Sequence, residues 1–231
     1  MIDISNLKMD EIKTRVRWKC PLKGHSKHNG LEHSSCYDKL HTLDLREKIG
    51  FLDIETEDLK ADYGVIFSYC IKDRNSDKIY HDSLTLEDIK KYGSKAPRED
   101  TRLIRNLVKD MSNFTRLVTH FGSIFDLSFI RTRAVMCGVE YPTYGQYVQT
   151  DTWRILKSKF KLSRNSLENA CLKLLGSTLK DRLSLSIKHG CIRGEEWAIK
   201  YCLEHCKKDV LDTERLYNAI CPYVRQTNAS F

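Results

Sequence analysis

Apolar and polar positions change their period along the chain, and a regular series of elements begins near residue 46. Short apolar runs typical of strands come first, and the 3–4 spacing of amphipathic helices follows. The predicted strands are 49–54, 63–71, 78–82, 117–121 and 148–151, and the predicted helices are 99–114, 126–137, about 164–175 and about 195–220. This order predicts one α/β layered domain over residues 46–231, preceded by a small segment of residues 1–45.

The composition is that of a folded chain rather than a disordered or membrane-spanning one. Of the 231 residues, 41% are hydrophobic and 30% are charged, and no apolar run approaches the roughly 18 residues that span a bilayer. The polar N-terminus lacks the pattern of a signal or transit peptide, and most of the nine cysteines lie in apolar contexts typical of buried thiols. We therefore expect no membrane partner and a reducing intracellular location, cytoplasmic or in the nucleoid or nucleus.

The net charge of +8 favours association with polyanions such as nucleic acids. A basic but inert surface explains the charge equally well. Acidic residues inside apolar runs favour nucleic-acid binding over an inert surface, because a merely solvated surface does not have acids within apolar segments.

The strand at 49–54 carries two acids at alternate positions, Asp53 and Glu55. Residues i and i+2 of a strand share one face, so both carboxylates project together while Leu52 and Ile54 face the other way. Two neighbouring acids on a central strand are costly unless a cation neutralises them. The alternative is a strand that ends at Ile54, with Glu55 in solvent.

Two further acidic positions follow along the chain. Asp126 begins a predicted helix, where an N-cap role is an alternative to metal binding. His205 and Asp209 lie four residues apart on one helical face, where an exposed pair that supports the helix is the alternative. Tyr201 continues this stripe, and Asp212, one turn beyond Asp209, is interpreted as a solvated residue.

The segments GFLDIET, THFGSIFDLSFI and YCLEHCKKDVLDTERLY, in this order, resemble the three motifs of the DnaQ-like (DEDD) 3′–5′ exonucleases of the ribonuclease-H-like superfamily. The intervening TDTWRILKSKFKLSRNSLENACLKLLG resembles that family's linker, so the likeness covers roughly residues 48–220. It implies a ribonuclease-H-like mixed central sheet flanked by helices. It also implies two-metal hydrolysis of phosphodiester bonds in single-stranded or frayed DNA or RNA 3′ ends.

The resemblance also implies roles for the acidic residues. Asp53 would bridge two Mg²⁺ or Mn²⁺ ions, and Glu55 would bind one of them. Asp126 would complete the shell of the second ion, directly or through water, and Asp209 would complete that of the first. His205 takes the position of the family's general base or water-positioning residue.

Two positions depart from the family's pattern. His205 has three residues between it and Asp209, which is the spacing of the family's tyrosine, while Glu204 occupies the usual histidine position. The water-activating residue is therefore open between His205, which we favour, and Tyr201. Phe121 stands where the second motif often has asparagine, which predicts the loss of one hydrogen bond to substrate or backbone.

Cations interleaved with aromatic residues follow the second motif, and such a pattern suits a groove for single-stranded nucleic acid. A solvated basic helix face is the alternative. Nothing in the sequence distinguishes DNA from RNA. The candidate substrate-binding residues are Arg131, Lys157, Lys161 and Arg164, with Arg133 in the same region.

The N-terminal segment WKCPLKGHSKHNGLEHSSCY is rich in soft metal ligands. Cys20, His25, His33 and Cys36 supply the number and type of ligands of a structural zinc site, and His28 could replace His25. A segment this small has little core, so a metal would stabilise its fold. The alternative is a flexible basic arm.

Four functional hypotheses follow. The favoured one is a free-standing 3′–5′ exonuclease, and a proofreading subunit or detached polymerase domain is a variant of it. A zinc-containing nucleic-acid-binding module on a degenerate nuclease fold belongs to a different class. A structure-specific endonuclease remains because a two-metal site can also cut internally when its groove is open at both ends.

Overall fold

The structure, a computed structural model, describes residues 9–18, 20, 29–37, 47–92, 99–143 and 145–224. The chain divides into two units, Met1–Glu47 and Lys48–Phe231. Within the described residues, no helix is long and apolar enough to cross a membrane.

The first unit is small and contains helix α1 (Met9–Arg17) and a helical turn at 34–37. Its packing centres on Tyr37, which is almost fully buried. The ring of Trp18 meets Tyr37 edge to face at 5.4 Å, and the Arg15 guanidinium lies 4.2 Å from the Tyr37 ring centroid. Cys20 and Tyr37 are the buried hydrophobic residues among those described in this unit, and a bound metal can stabilise a fold with so small a core.

The second unit is built on a mixed sheet of five described strands. These are β1 (Ile49–Thr56), β2 (Ile66–Asp73), β3 (Ile79–Ser83), β4 (Arg116–Thr119) and β5 (Val148–Asp151). Their order is β3-β2-β1-β4-β5. β1, β2 and β3 pair antiparallel, whereas β1, β4 and β5 pair parallel. This sheet confirms the fold class predicted from the sequence.

Seven helices of the second unit accompany the sheet in the described residues. They are α2 (Leu86–Tyr92), α3 (Thr101–Met111), α4 (Asp126–Met136), α5 (Thr152–Lys159), α6 (Leu167–Leu175), α7 (Leu185–Ile192) and α8 (Glu196–Ile220). Helices α2, α5 and α7 are not among the predicted helices, because their seven or eight residues hold only about two turns and leave a weak periodic pattern. A short 3₁₀ turn, Cys221–Tyr223, follows α8.

The two faces of β1 are buried against different helices. Leu52 and Ile54 belong to the core cluster that contains the apolar residues of α3 and α4. Phe51 belongs to the opposite cluster, with Cys206 and Val210 of α8. Because side chains alternate along a strand, Asp53 and Glu55 lie on the Phe51 face. The packing of α8 against this face therefore brings its polar residues to the two acids of β1.

Candidate active site

Helix α8 places His205 and Asp209 next to the acids of β1. The two side chains are 4% and 3% exposed. His205 Nε2 lies 3.5 Å from Glu55 Oε1 and 3.7 Å from Asp209 Oδ2. One potential ligand atom from each of Glu55, His205 and Asp209 lies within 4.8 Å of the other two. Helix α8 packs closely against β1 at this point, since the Cys206 thiol lies 3.3 Å from the carbonyl oxygen of Asp53.

Asp126 reaches the same place from the start of α4. It is the first residue of the helix, and the cap position before it, Phe125, makes no side-chain cap bond. Asp126 Oδ1 instead accepts a hydrogen bond from the Ile54 backbone N–H at 3.2 Å. This contact fixes the buried carboxylate against β1, between the positions of Asp53 and Glu55.

The pKa values of all four carboxylates are raised above their ordinary values. Burial is the largest cause in every case. It raises the pKa of Asp53 well above its ordinary value, and repulsion from Asp209 and Asp126 adds to the shift. Burial and the Asp209 charge raise the pKa of Glu55 to about 8, and burial raises that of Asp126 to about 7. Ionised together, these groups need a positive charge among them.

Two oxygens of the cluster are left without a partner. Among the described residues, neither Asp53 Oδ2 nor Asp209 Oδ1 has a hydrogen-bond partner, although both atoms are buried. Buried carboxylate oxygens without donors are costly. Carboxylates are the hard ligands that suit Mg²⁺ or Mn²⁺. The donor set and its partnerless oxygens therefore fit divalent cations.

Lys180 is a member of this site that the sequence does not reveal. Its ammonium forms an ion pair with Asp209 Oδ2. Burial by itself would lower the pKa of Lys180, but the charges of Asp209 and Asp53 outweigh it and raise the pKa. Lys180 therefore stays charged and offsets part of the negative charge of the cluster.

Asp181 is the second such residue. Its Oδ1 accepts a hydrogen bond from His205 Nδ1, and its Oδ2 lies 2.5 Å from Lys208 Nζ and 3.3 Å from the Tyr201 hydroxyl. Burial would raise the pKa of Asp181, but the hydrogen bonds from Lys208 and His205 outweigh it and lower the pKa to about 2. The carboxylate is thus ionised at neutral pH and fixes the His205 ring.

Asp212 holds the segment that carries these two residues. Its Oδ2 accepts hydrogen bonds from the Thr178 hydroxyl at 2.6 Å and the Leu179 N–H at 2.7 Å, and its Oδ1 accepts one from Arg215 at 2.7 Å. Its side chain is fully buried. The interpretation of Asp212 as a solvated residue is therefore wrong, because the 177–184 segment covers that face of α8.

The alternatives for the water-activating residue are separated by their surroundings. His205 is buried beside the carboxylates, whereas Tyr201 is 38% exposed and its hydroxyl donates to the outer oxygen of Asp181 at 3.3 Å. Glu204, at the family's usual histidine position, is exposed and pairs with Lys207 at 2.8 Å. The geometry brings His205, rather than Tyr201 or Glu204, to the carboxylate cluster.

The candidate substrate-binding residues are exposed, with one exception. Arg131 lies over the Tyr141 ring at 5.3 Å, and Lys157 lies 4.8 Å from the Trp153 ring centroid. Lys161 and Arg164 are also exposed. The exception, Arg133, is fully buried in a bidentate ion pair. A substrate contact by Arg133 is therefore ruled out, since its guanidinium is committed to the core.

The first unit brings three of the predicted zinc ligands together. One ligand atom each of Cys20, His33 and Cys36 lies within 4.8 Å of the other two. Cys20 is 2% exposed. His25 and His28, between which the sequence leaves the fourth ligand open, lie outside the described residues. Two thiols and an imidazole at this separation are a donor set that fits zinc.

The mixed sheet, its helices and the carboxylate cluster define a ribonuclease-H-like α/β protein. Residues 50–184 match the RNase_H superfamily, and the chain belongs to that superfamily. The match includes Asp53, Glu55 and Asp126 and ends before the helix that carries His205 and Asp209. No curated protein sequence matches the chain significantly.

A solved structure shares this architecture. The chain is similar to the family B DNA polymerase from the hyperthermophilic archaeon Pyrobaculum calidifontis, with a TM-score of 0.56 and 14% sequence identity. The alignment covers 77% of this chain but only 25% of the polymerase chain. At this identity the likeness concerns the fold.

Proposed function

We propose that the chain is a metal-dependent 3′–5′ exonuclease that hydrolyses single-stranded or frayed nucleic acid, with residues 46–231 as its nuclease domain. One observation carries the proposal: Asp53, Glu55, Asp126 and Asp209 come from three separate elements to one place. Two of their buried oxygens have no hydrogen-bond partner among the described residues. Lys180 offsets only part of the charge of the four carboxylates, so the cluster is costly to the fold unless metal cations bind there.

The four carboxylates would hold two Mg²⁺ or Mn²⁺ ions. Two such ions lower the pKa of a bound water and neutralise charge on the phosphate and the leaving oxygen. Lys180 faces the same carboxylates and would meet the negative charge of the incoming phosphate. The superfamily membership supports this assignment, because the match covers three of the four acids.

His205 would accept the proton of the attacking water. Its Nδ1–H donates to Asp181, so the neutral ring has its lone pair on Nε2, which faces Glu55 and Asp209. A neutral imidazole nitrogen with a free lone pair can accept a proton and act as a general base. Asp181 would keep the ring in this tautomer and orientation.

Four exposed basic residues would bind the substrate backbone. Arg131, Lys157, Lys161 and Arg164 are exposed and can contact phosphates without loss of a core interaction. The chemistry of such contacts is shared by DNA and RNA. We therefore propose 3′ ends of either nucleic acid as partners.

The test uses 5′-labelled single-stranded DNA and RNA with Mg²⁺ or Mn²⁺. We expect a ladder that shortens from the 3′ end, and its loss in Asp209→Asn. Glu140→Gln is the matched control, because Glu140 is an exposed acid outside the cluster, and it should cleave like the parent. If the protein binds the strands but cleaves none of them with either Mg²⁺ or Mn²⁺, the exonuclease proposal is wrong. That result would instead support a binding module on a degenerate nuclease fold. Internal cuts that precede the ladder would instead indicate an endonuclease.

We propose in addition that residues 1–45 hold one structural zinc ion. Cys20, His33 and Cys36 would supply three ligands, and His25 or His28 the fourth. Four protein ligands leave no open coordination position, so this zinc would stabilise the fold rather than act in catalysis.

Metal analysis after dialysis against chelator-free buffer tests the zinc site. The parent should retain about one zinc per chain, as the ligand set implies, and Cys36→Ser should lose it. Cys221→Ser, which removes a partly buried thiol of the second unit, should retain it. A parent without zinc, or equal retention in both variants, would contradict the assignment.

A further inference from the structure

Phe121 has an unusual backbone conformation at the end of β4. Among the residues that the structure describes, it is the one non-glycine residue with a positive φ, at 68°. A bulky side chain is strained in this left-handed region, which asparagine or glycine adopts more easily. Such strain persists where surrounding contacts enforce it, and it is concentrated at functional sites.

Asp151 enforces the conformation from the end of β5. Its fully buried carboxylate accepts hydrogen bonds from the Phe121 N–H at 2.9 Å and from the N–H and hydroxyl of Ser123 at 3.0 and 2.5 Å. Gly122 between them has no room for a side chain, because a Cβ there would lie 2.5 Å from Thr119. The turn is thus fixed by buried polar contacts on one side and by close packing on the other.

The strained turn leaves the Phe121 ring at the surface. The side chain is 38% exposed, and its ring meets the ring of Trp153 edge to face at 5.0 Å, with an interplanar angle of 77°. Packing in the core does not account for a strained residue whose ring is this exposed. The conformation leaves the aromatic ring accessible to a partner.

The turn also lies next to the carboxylate cluster. The carbonyl of Phe121 accepts the N–H groups of Ile124 and Phe125, each at 3.1 Å, and the next residue in the chain is Asp126. The same chain segment thus carries an exposed aromatic ring at one end and a proposed metal ligand at the other. Phe121 precedes Asp126 by five positions, so a nucleotide whose phosphate is held by cations at the carboxylate cluster would have its base towards this turn.

Positive charge surrounds the two rings. Lys157 lies 4.8 Å from the centroid of the Trp153 ring. Arg154 is exposed, and its Nε donates to the Ser123 hydroxyl at 2.8 Å. Aromatic rings beside cations are the combination that binds single-stranded nucleic acid, because bases stack on the rings while phosphates meet the charges.

We propose that Phe121 and Trp153 form a platform on which the base at the 3′ end of a single strand stacks. The proposal rests on the proposed nuclease function and names the part of the substrate that this surface binds. Every base has a flat π face, so the platform accepts any sequence. DNA and RNA share this chemistry, and the test compares them.

The test measures binding rather than cleavage, in the Asp209→Asn background. The probes are DNA and RNA strands with the fluorescent base 2-aminopurine at the 3′ end or at an internal position far from it. Stacking quenches 2-aminopurine, so the 3′ probe should be quenched on binding and the internal probe should change little. Phe121→Leu keeps an apolar side chain without a π face, and it should remove the quench and weaken binding about tenfold.

A second variant separates function from folding. Phe121→Asn should raise the melting temperature by about 2–4 °C, because asparagine tolerates the left-handed conformation, and it should still weaken binding. Tyr223→Leu is the control. It removes an aromatic ring that is 71% exposed and that meets Phe160, rather than Phe121 or Trp153, edge to face at 5.8 Å.

The outcomes are distinct. The platform proposal is contradicted if Phe121→Leu binds and quenches normally. It is also contradicted if the protein with Asp209→Asn alone binds no strand. If Asp209→Asn quenches the 3′ probe but the wild-type protein with metal does not cleave it, the platform is supported and the exonuclease proposal is wrong. Quenching with one nucleic acid alone would identify the sugar that the site accepts.

Discussion

The carboxylate of Asp181 accepts a hydrogen bond from Nδ1 of His205, while Nε2 of the same ring faces Glu55 and Asp209 at 3.5 and 3.7 Å. Only one orientation of this buried ring lets Nδ1–H donate to Asp181 while Nε2 points towards the carboxylate cluster. His205 stands at the spacing of the tyrosine in the exonucleases that the sequence resembles. A tyrosine hydroxyl needs no second acid to select a tautomer, whereas a histidine does.

Asp181→Asn should lower kcat by about 10–100-fold with little change in KM, which is the range for residues that orient a reacting group. The amide can donate to Nδ1 as well as accept from it, so it no longer selects the Nδ1–H tautomer. Single-turnover cleavage with saturating metal measures the effect. Lys208→Met is the control, because it removes the other ion pair of Asp181 and leaves the histidine contact. An unchanged kcat in Asp181→Asn would show that the contact is structural.

The parts of the site that local geometry decides were predictable from the sequence. Alternation along β1 assigns Asp53 and Glu55 to one face, and the four-residue spacing assigns His205 and Asp209 to one side of α8. Burial of Phe51 and Leu52 on opposite faces of the sheet agrees with that alternation. These assignments need no knowledge of the remaining chain.

Lys180 and Asp181 could not be predicted, because they lie in the 177–184 segment, which forms neither helix nor strand. The position of this segment depends on its hydrogen bonds to Asp212, more than 30 residues later in the chain. The hydrophobic periodicity of α8 does not predict that Asp212 is buried, since a loop rather than the sheet covers it. Contacts of this kind are set by tertiary structure alone.

The metal-free protein should lose stability as pH rises from about 6.5 to 8. In the folded state the pKa of Glu55 is about 8 and that of Asp126 about 7, against ordinary values of 4.5 and 3.8. The folded chain therefore binds more protons than the unfolded chain in this window, and stability falls by up to about 1.4 kcal/mol per pH unit for each extra proton. Burial lowers the pKa of His120 to about 4, which has the opposite effect only below about pH 6.5.

Urea unfolding in EDTA at several pH values measures this slope. Glu55→Gln should flatten it, because the amide does not titrate. Saturating Mg²⁺ or Mn²⁺ should restore stability most at the highest pH, where the carboxylates are ionised. A parent whose stability in EDTA rises between pH 6.5 and 8 would contradict the raised pKa values.

Asp212→Ala should lower the free energy of unfolding by about 3 kcal/mol or more, since each hydrogen bond to a charged group contributes about 1.5–3 kcal/mol. Cleavage should fall as well, because the 177–184 segment would lose its anchor. Thr178→Val removes one of the bonds and should cost about 1.5 kcal/mol, the low end of that range, because the Leu179 N–H bond to the same oxygen remains. Urea unfolding and cleavage are measured on both variants. A loss below 0.5 kcal/mol in Asp212→Ala, about the level of a surface substitution, would mean that the segment is held by other contacts.

Arg131 and Arg133 are two positions apart on α4 and should respond in opposite ways to replacement by methionine. Arg133 and Asp100 form an ion pair in which both side chains are fully buried, so Arg133→Met leaves a buried carboxylate unpaired and should cost about 3–5 kcal/mol of stability. Arg131 is exposed, so Arg131→Met should change stability by less than about 0.5 kcal/mol. It should instead weaken nucleic-acid binding and reduce its dependence on salt. Denaturation and binding at several salt concentrations, measured on both variants, test the pair. Equal binding by Arg131→Met and the parent would remove Arg131 from the proposed substrate groove.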